Sequence, residues 1–569
     1  MFWVTGCTAI ALGTAAVGAV QHEGTVDVAA FGAVPDDGQD DTAAFLEAFA
    51  EVARTGAQRL VLHPGRYDLT AGANPESPAT LFPVADLDGF TLDGGGAELM
   101  VSGATSLFYV LNCRNVHLTG FTVDSPRAPF SVGEVIAAEP RWFDVRVDDE
   151  FPVEGGEAVG AFMDYEPDTG LPVRQGLDVY SGVERTELIG PQTLRVHLGW
   201  DIAVPVGHLV VLRHWVYGHN AIVFQRCQEV SVEDITIYTT PGMGLIGLVS
   251  ENISLTRFNV LIRPGTRRLM SATADATHFG GCKGTVSLTD CTFEGMGDDG
   301  ANIKSGLYLT VLERVDEHTV LGQHNLKMAD LPDAGDTMEM IRRETLLTYA
   351  SGTVRAASLE PVEGNIHRVE FEEPLPEGLQ VGDVLGNASR TPRLRMSGCT
   401  VRRNRARGVL CQTRDAVIEN CTFDRCTSSG VLVMTEVTHF FESIGTRDVT
   451  VRNCRFIDCN GGAASSEAAL QAFAWMGGMG YPPEPGVHAN VLFEGNLIQG
   501  TDGAGIFAAG VEGLTVRGNT ITGACRAPRN EIGQHAVYIM SSANVVTEGN
   551  VIDPAVQGEG FRGAVRLPE

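Results

Sequence analysis

Apolar residues along this chain fall mostly in short runs that alternate with polar ones at every second position, the period of a half-buried strand. One eight-residue pattern, Val-x-Val/Leu-x-x-Cys/Asn/Phe-x-Phe/Ile/Val, recurs in degenerate form beginning at residues 116, 230, 253, 286, 394, 416, 449, 491 and 514. With its sixth position as marker, Ile235 to Phe258 is 23 residues, Phe258 to Cys291 is 33, Cys399 to Cys421 is 22, Cys421 to Cys454 is 33 and Asn496 to Asn519 is 23. One turn of a parallel solenoid uses about that many residues, and longer turns carry loops. Inward side chains then stack on the same position of the next coil, roughly 4.8 Å away. Cys291, Cys399, Cys421, Cys454, Asn496, Asn519 and Asn550 therefore read as one internal ladder, with thiols packing and asparagines hydrogen-bonding along the stack. The pattern predicts an all-β, right-handed parallel β-helix.

A helical period runs over residues 42–54, with Ala43, Phe45, Leu46, Phe49 and Val52 apolar and Asp40 or Asp41 placed to cap it. Strands predicted at 26–32 and 59–63 flank it, and the unit suits the N-terminal cap that a solenoid needs over its open end. Two segments break the repeat. Residues 127–213 alternate strand-like stretches with Pro and Gly turns and read as an inserted small β-barrel-like module. Residues 309–390 fall between the markers Cys291 and Cys399 and read as a second inserted β-rich module. The chain thus divides into a leader (1–21), cap and first coils (22–126), the first insertion (127–213), further coils (214–308), the second insertion (309–390) and C-terminal coils (391–569). Both insertions are expected to flank one face and wall a cleft.

Composition narrows the partners. The net charge of −30 surrounds the chain with negative potential, which excludes nucleic acid and anionic membranes and disfavours a highly charged polyanion. A neutral partner fits better. Residues 1–20 are apolar and rich in Ala and Gly, with small residues before Gln21, so a secreted or periplasmic location is expected. No later stretch approaches about 20 unbroken apolar residues, which argues against a membrane span. The cysteines show no paired CxxC spacing, so neither a metal nor another cofactor is expected.

Two acidic features stand one coil apart: Asp275, within Ala274-Asp275-Ala276-Thr277-His278-Phe279, and Asp298-Asp299, within Gly297-Asp298-Asp299-Gly300-Ala301-Asn302-Ile303-Lys304. The interval from Asp275 to Asp298 is 23, matching Ile235 to Phe258, so the solenoid brings three carboxylates together. Glycosidic cleavage needs one protonated carboxyl for the leaving oxygen and a carboxylate that activates water or attacks the anomeric carbon. Crowding raises the pKa of at least one of the three. A regular strand would send Asp298 and Asp299 to opposite faces, so Gly295, Gly297 and Gly300 are expected to make the backbone irregular there.

These motifs, with Gly306-Leu307-Tyr308-Leu309, Asn404-Arg405-Ala406-Arg407-Gly408-Val409-Leu410, Val417-Ile418-Glu419-Asn420 and Phe440-Phe441-Glu442-Ser443, resemble glycoside hydrolase family 110 over most of the chain. That family comprises α-1,3-galactosidases known for acting on the blood-group B determinant. The resemblance implies an inverting hydrolase that removes terminal α-1,3-linked galactose from an oligosaccharide or glycan. It implies Asp298 as general acid, with Asp275 and Asp299 holding and deprotonating the attacking water. His278, Asn302, Lys304, Tyr308, Arg407, His439 and Glu442 lie in the matching motifs and are assigned to galactose hydroxyls; Lys304 stands where the family commonly has His. Trp215 and Trp475 are candidates for stacking on a sugar face. Inversion calls for acid and base about 6.5–9.5 Å apart. A polygalacturonase would need a downstream Gly-His-Gly and Arg-Ile-Lys, and neither follows Asp299. A lyase or epimerase would use Arg or Ca²⁺ beside a uronate, and no repeated Ca²⁺ loop is visible. A β-helix adhesin would leave the three aspartates without a role. Homodimerisation is left open.

Overall fold

The computed structural model describes residues 22–72, 79–324, 331–360, 365–462 and 467–567; the leader expected at 1–21 lies outside them. The parallel strands wind into a right-handed β-helix. One coil runs β1 (Leu245–Leu248), Glu251–Thr256 and Asn259–Val260. Single left-handed residues, Val249 (φ 53°) and Arg257 (φ 50°), make its two bends. The next coil repeats the plan in β2 (Thr277–Gly280), Lys283–Thr289 and Thr292–Glu294. Leu245 pairs with Thr277, Ile253 with Val286 and Asn259 with Thr292. Elsewhere such bends fall on Asp234, Asp290, Asn420 and Asn453, whose short polar side chains tolerate this conformation.

Alternation sends one column inward: Val232, Leu255, Leu288, Met396, Ile418, Val451, Phe493 and Val516 occupy the same position of successive coils, all buried. Each such burial contributes roughly 1.5–3 kcal/mol of transfer free energy. The predicted ladder is present. Asn496 Nδ2 donates to Asn519 Oδ1, and Asn519 Nδ2 to Asn550 Oδ1, both at 3.0 Å. Asn496 Oδ1 accepts from the Cys454 amide at 3.0 Å, joining the asparagines to the buried thiols.

At the N-terminus the strand lies earlier than the predicted 26–32 and shares only Val26 and Asp27 with it. His22–Asp27 is extended, but the Asp27 side chain accepts from Ala29 N at 2.9 Å and opens a single 3-10 turn, Val28–Phe31. The helix Thr42–Thr55 follows; Asp41 is its N-cap residue, while the side-chain bond to Thr42 N comes from Asp40, at 2.9 Å. Phe45 and Phe49 of this helix pack on Phe82 and close the core.

The first insertion is a seven-stranded antiparallel sheet, from Phe130–Glu139 to Leu209–Arg213, around its own core of Phe130, Phe143, Phe162, Val196 and Leu212. The second is a closed six-stranded barrel, from Leu309–Arg314 to Val384–Asn387. It leaves the solenoid after β3 (Ala301–Lys304) and rejoins it before β4 (Val409–Gln412). Thr277, Ala301 and Val409 lie side by side on β2, β3 and β4, so the long turns entering these strands are neighbours. Among the described residues no helix is long and apolar enough to cross a membrane.

The ladder yields a stability prediction. Asn519→Ala strips the partners of two buried backbone groups, Phe493 O and the Asn496 amide. At about 1–3 kcal/mol for each unsatisfied group, a loss of about 2–6 kcal/mol is expected in urea unfolding. Asn519→Cys, which copies the filling of the upstream slots, should cost less; equal losses would contradict the ladder.

Candidate active site

The site lies in the turns entering β2, β3 and β4. Because Thr277, Ala301 and Val409 are in register, Asp275, Asp299 and Arg407 each stand two residues before a paired position. Backbone bonds carry the register back into the turns, with Ala276 N donating to Asp299 O at 2.9 Å and Gly300 N to Arg407 O at 3.0 Å. One oxygen from each of Asp275, Asp298 and Asp299 lies within 4.8 Å of one from each of the others, and all three residues are buried. Both members of the Asp298-Asp299 pair therefore reach one site. Gly295 provides a left-handed φ of 69°, whereas Gly297 serves close approach: a Cβ there would run into Thr273 O.

Every carboxylate oxygen in the cluster has a partner. Asp299 Oδ1 accepts from Arg407 N at 2.9 Å and its Oδ2 from Arg407 Nη2 at 2.8 Å. Asp298 Oδ1 accepts from Arg405 Nη1 at 2.8 Å, and the Tyr217 hydroxyl donates to its Oδ2. Asp275 Oδ1 accepts from Asp299 N at 3.2 Å, and its Oδ2 shares a proton with His278 Nδ1 at 2.7 Å. The spacing would also suit a cation, but these oxygens are already engaged and two guanidinium groups supply the counter-charge.

Burial pushes Asp275 well above the usual carboxylate range, and the Asp298 charge adds to it. Asp299 is likewise raised, by burial and by its two acidic neighbours, against the pull of Arg407. Burial acts on Asp298 in the same sense, but Arg405, Arg407 and the Tyr217 hydrogen bond outweigh it and hold Asp298 below the usual range. His278 is pushed down to about 3 by burial and then by the Lys304 charge, so it is neutral near pH 7. Within the cluster Asp275 and Asp299 are thus the groups that hold a proton more readily, and Asp298 the one that gives it up more readily. That order is the reverse of the one expected of Asp298 as a ready acid, because sequence matching could not weigh the two arginines.

Of the other residues assigned from sequence, His278 and Asn302 pair on adjacent strands beside the cluster. Asn302 is buried, and among the described residues its Oδ1 has no hydrogen-bond partner. Arg407 holds a carboxylate rather than standing free for a sugar. Lys304 and Glu442 are buried against each other, Nζ to Oε1 at 2.7 Å, and act on His278 in opposite senses. Tyr308 is corrected: it is 1% exposed, its hydroxyl pairs with Thr435 Oγ1 at 2.9 Å, and it packs with Ile341, Phe441 and Ile444 between barrel and solenoid. No face of it is open to a sugar. His439 lies exposed, edge-on to Phe440, beyond Glu436, whose carboxylate holds its backbone amide. Trp215 is 46% exposed and packs edge-on against His219. Trp475, 38% exposed, sits on a strand two coils beyond β4.

Sequence reasoning missed Tyr217, Arg405, Asn404, Asp178 and Tyr180. Asn404 Nδ2 donates to the carbonyls of Asp298, Arg405 and Arg407 at 3.0, 3.1 and 2.8 Å, pinning the arginine-bearing turn onto the acidic one. Asp178 Oδ2 accepts from Arg405 Nε at 3.0 Å, and the Tyr180 ring lies 4.9 Å from the same guanidinium. A signal for the arginine turn was present: Asp299 to Arg407 is 108 residues, the same interval as Cys291 to Cys399.

Residues 376–473 match the model of the right-handed β-helix region, and residues 328–385 match that of GLAA-B β-barrel domain II. α-1,3-Galactosidase A of Bacteroides fragilis is 27% identical over 546 residues, covering 89% of this chain and 88% of that protein. α-1,3-Galactosidase B of Akkermansia muciniphila is 27% identical over 527 residues, covering 88% of this chain and 64% of its own. The chain is a homologue of the α-1,3-galactosidases. The matched barrel segment falls within the second insertion, and the aspartates fall on the solenoid between the two insertions. Among solved structures, the Agl-KA catalytic domain aligns at TM-score 0.47 and 12% identity, over 96% of this chain and 69% of that one.

Two measurements test the charge balance. Arg407→Met removes the guanidinium hold on Asp299 and should cost about 1–3 kcal/mol in unfolding experiments, since Asp299 can take up a proton when its cation is gone. A raised carboxyl pKa contributes stability that is fully present below the unfolded value, near 3.9, and is lost as pH rises through the folded value. The Asp275 contribution should therefore disappear between about pH 4 and its elevated folded pKa, and Asp275→Asn should abolish that loss. Melting curves from pH 4 to 8 are expected to show the variant gaining on wild type as pH rises; parallel curves would contradict the raised pKa.

Proposed function

We propose that this protein is a glycoside hydrolase that removes terminal α-1,3-linked galactose from a glycan, with inversion of configuration. The observation that carries the reading is the register-locked cluster of Asp275, Asp298 and Asp299, in a chain homologous to α-1,3-galactosidases along nine-tenths of its length. The cluster divides into two parts. Asp275 and Asp299 form a stacked pair in one column, suited to hold and deprotonate a water. Asp298 stands one residue aside, tied to Tyr217 and Arg405, and is the donor to the leaving oxygen.

For that division of labour Asp298 must gain a proton before cleavage. A neutral sugar filling the site removes water from around the Asp298 carboxylate, which favours its protonated form. Ionisation then belongs to the pair that activates the water. Among the described residues the buried Asn302 Oδ1 beside the cluster has no hydrogen-bond partner, and it provides an acceptor for a sugar hydroxyl. The substrate is uncharged, in keeping with the acidic surface. Action outside the cytoplasm belongs to the same proposal.

The short approach of the carboxylates is the observation that favours a second reading, double displacement with retention, since retaining pairs stand about 5–5.5 Å apart.

Proton NMR of the first-formed sugar separates the two. Release of β-galactose from Galα1-3Gal is expected, and α-galactose would establish retention. Asp298→Asn should lower kcat on Galα1-3Gal by about 10²–10⁴-fold while keeping most activity on α-galactosyl fluoride, whose leaving group needs no acid. Asp275→Asn and Asp299→Asn should lose both activities. The opposite pattern would exchange the roles, and no turnover of any α-galactoside by the wild type would overturn the reading.

A further inference from the structure

Arg213 is the last residue of the inserted sheet and is completely buried, yet among the described residues it forms no ion pair. Retaining an unpaired buried cation is costly and calls for a role. Its Nη1 donates to two backbone carbonyls, Thr273 O at 3.1 Å and Gly297 O at 2.9 Å. Thr273 lies two residues before Asp275, and Gly297 immediately before Asp298, on the long turns of two successive coils. One nitrogen thus bridges the two turns that carry the proposed chemistry.

The surroundings fix that nitrogen in place. The Arg213 guanidinium carbon lies 4.7 Å from the Tyr180 ring, and Arg405, which binds Asp298, lies 4.9 Å from the same ring. Gly297 has no side chain to displace the bridge: a Cβ there would strike Thr273 O and come within 2.8 Å of Arg213 Nη1. The positive charge of Arg213 also helps hold Asp298 ionised.

We propose that Arg213 is a positioning residue that sets the separation of Asp275 from Asp298, which makes the first insertion part of the reacting geometry; the inference rests on the glycosidase reading above. Arg213→Lys keeps the charge but loses the planar fork that fits between ring and carbonyls. With Galα1-3Gal as substrate, folded Arg213→Lys should show KM within about 3-fold of wild type, kcat lowered about 10²-fold and a displaced pH profile. Gly297→Ala spreads the same turns from the other side without changing charge and should give the same signature. Circular dichroism and melting curves establish that each variant is folded. A folded variant with wild-type kcat and pH profile, or with a change in KM alone, would overturn the proposal. If Arg213→Lys does not fold, Gly297→Ala carries the test with the same two outcomes. If the wild type cleaves no α-galactoside, the glycosidase reading has failed, and positioning is read without substrate. The dependence of melting temperature on pH for wild type and Arg213→Lys should then differ between about pH 4 and 8, and superimposable profiles would overturn it.

Discussion

Parallel in-register stacking is the constraint from which the rest follows. A backbone bond between one coil and the next fixes both the 4.8 Å rise and the identity of the residue that arrives overhead. A one-residue slip would turn Leu255, Leu288 and Met396 out of the core and would also move Asp275 away from Asp299. The same hydrogen bonds that build the core therefore build the site. No separate device is needed to bring residues 275, 299 and 407 together.

Stacking alone would produce an untenable cluster, because three buried carboxylates repel one another and lose their hydration. The structure offsets this in two ways. Arg405 and Arg407 on the next coil each hold one of the three, and burial raises the proton affinity of Asp275 and Asp299. Three buried groups of separated acidity are what acid and base catalysis at neutral pH requires. The first insertion takes part in that balance through Asp178 and Tyr180, which brace Arg405, and through Tyr217 just after its exit strand.

Much of this was legible in the sequence because a solenoid converts spacing into distance. The alternation at residues 230, 253 and 286, the Cys and Asn markers, and the interval of 23 between Asp275 and Asp298 give coils, ladder and acidic cluster directly. What lay outside the repeat was hidden. Tyr217, Tyr180 and Asp178 come from or beside an insertion whose docking no coil spacing encodes. Arg405 was passed over although Arg407 was named, because Ala406, at φ 71°, breaks the alternation and turns both arginines toward the acidic turn. Tyr308 was misassigned because a motif shows proximity in sequence and not which side of a sheet the barrel covers. The protonation order of the three aspartates depends on cations from another coil, which no local motif contains.

The most direct test of the central claim, that stacked turns place the three carboxylates around one sugar, is a crystal structure of Asp298→Asn with bound Galα1-3Gal. The account predicts the anomeric carbon of the terminal galactose between residue 298, at the bridging oxygen, and the Asp275–Asp299 pair, with a water between the pair and that carbon. A sugar bound away from the cluster, or all three side chains on one face of the ring, would contradict it.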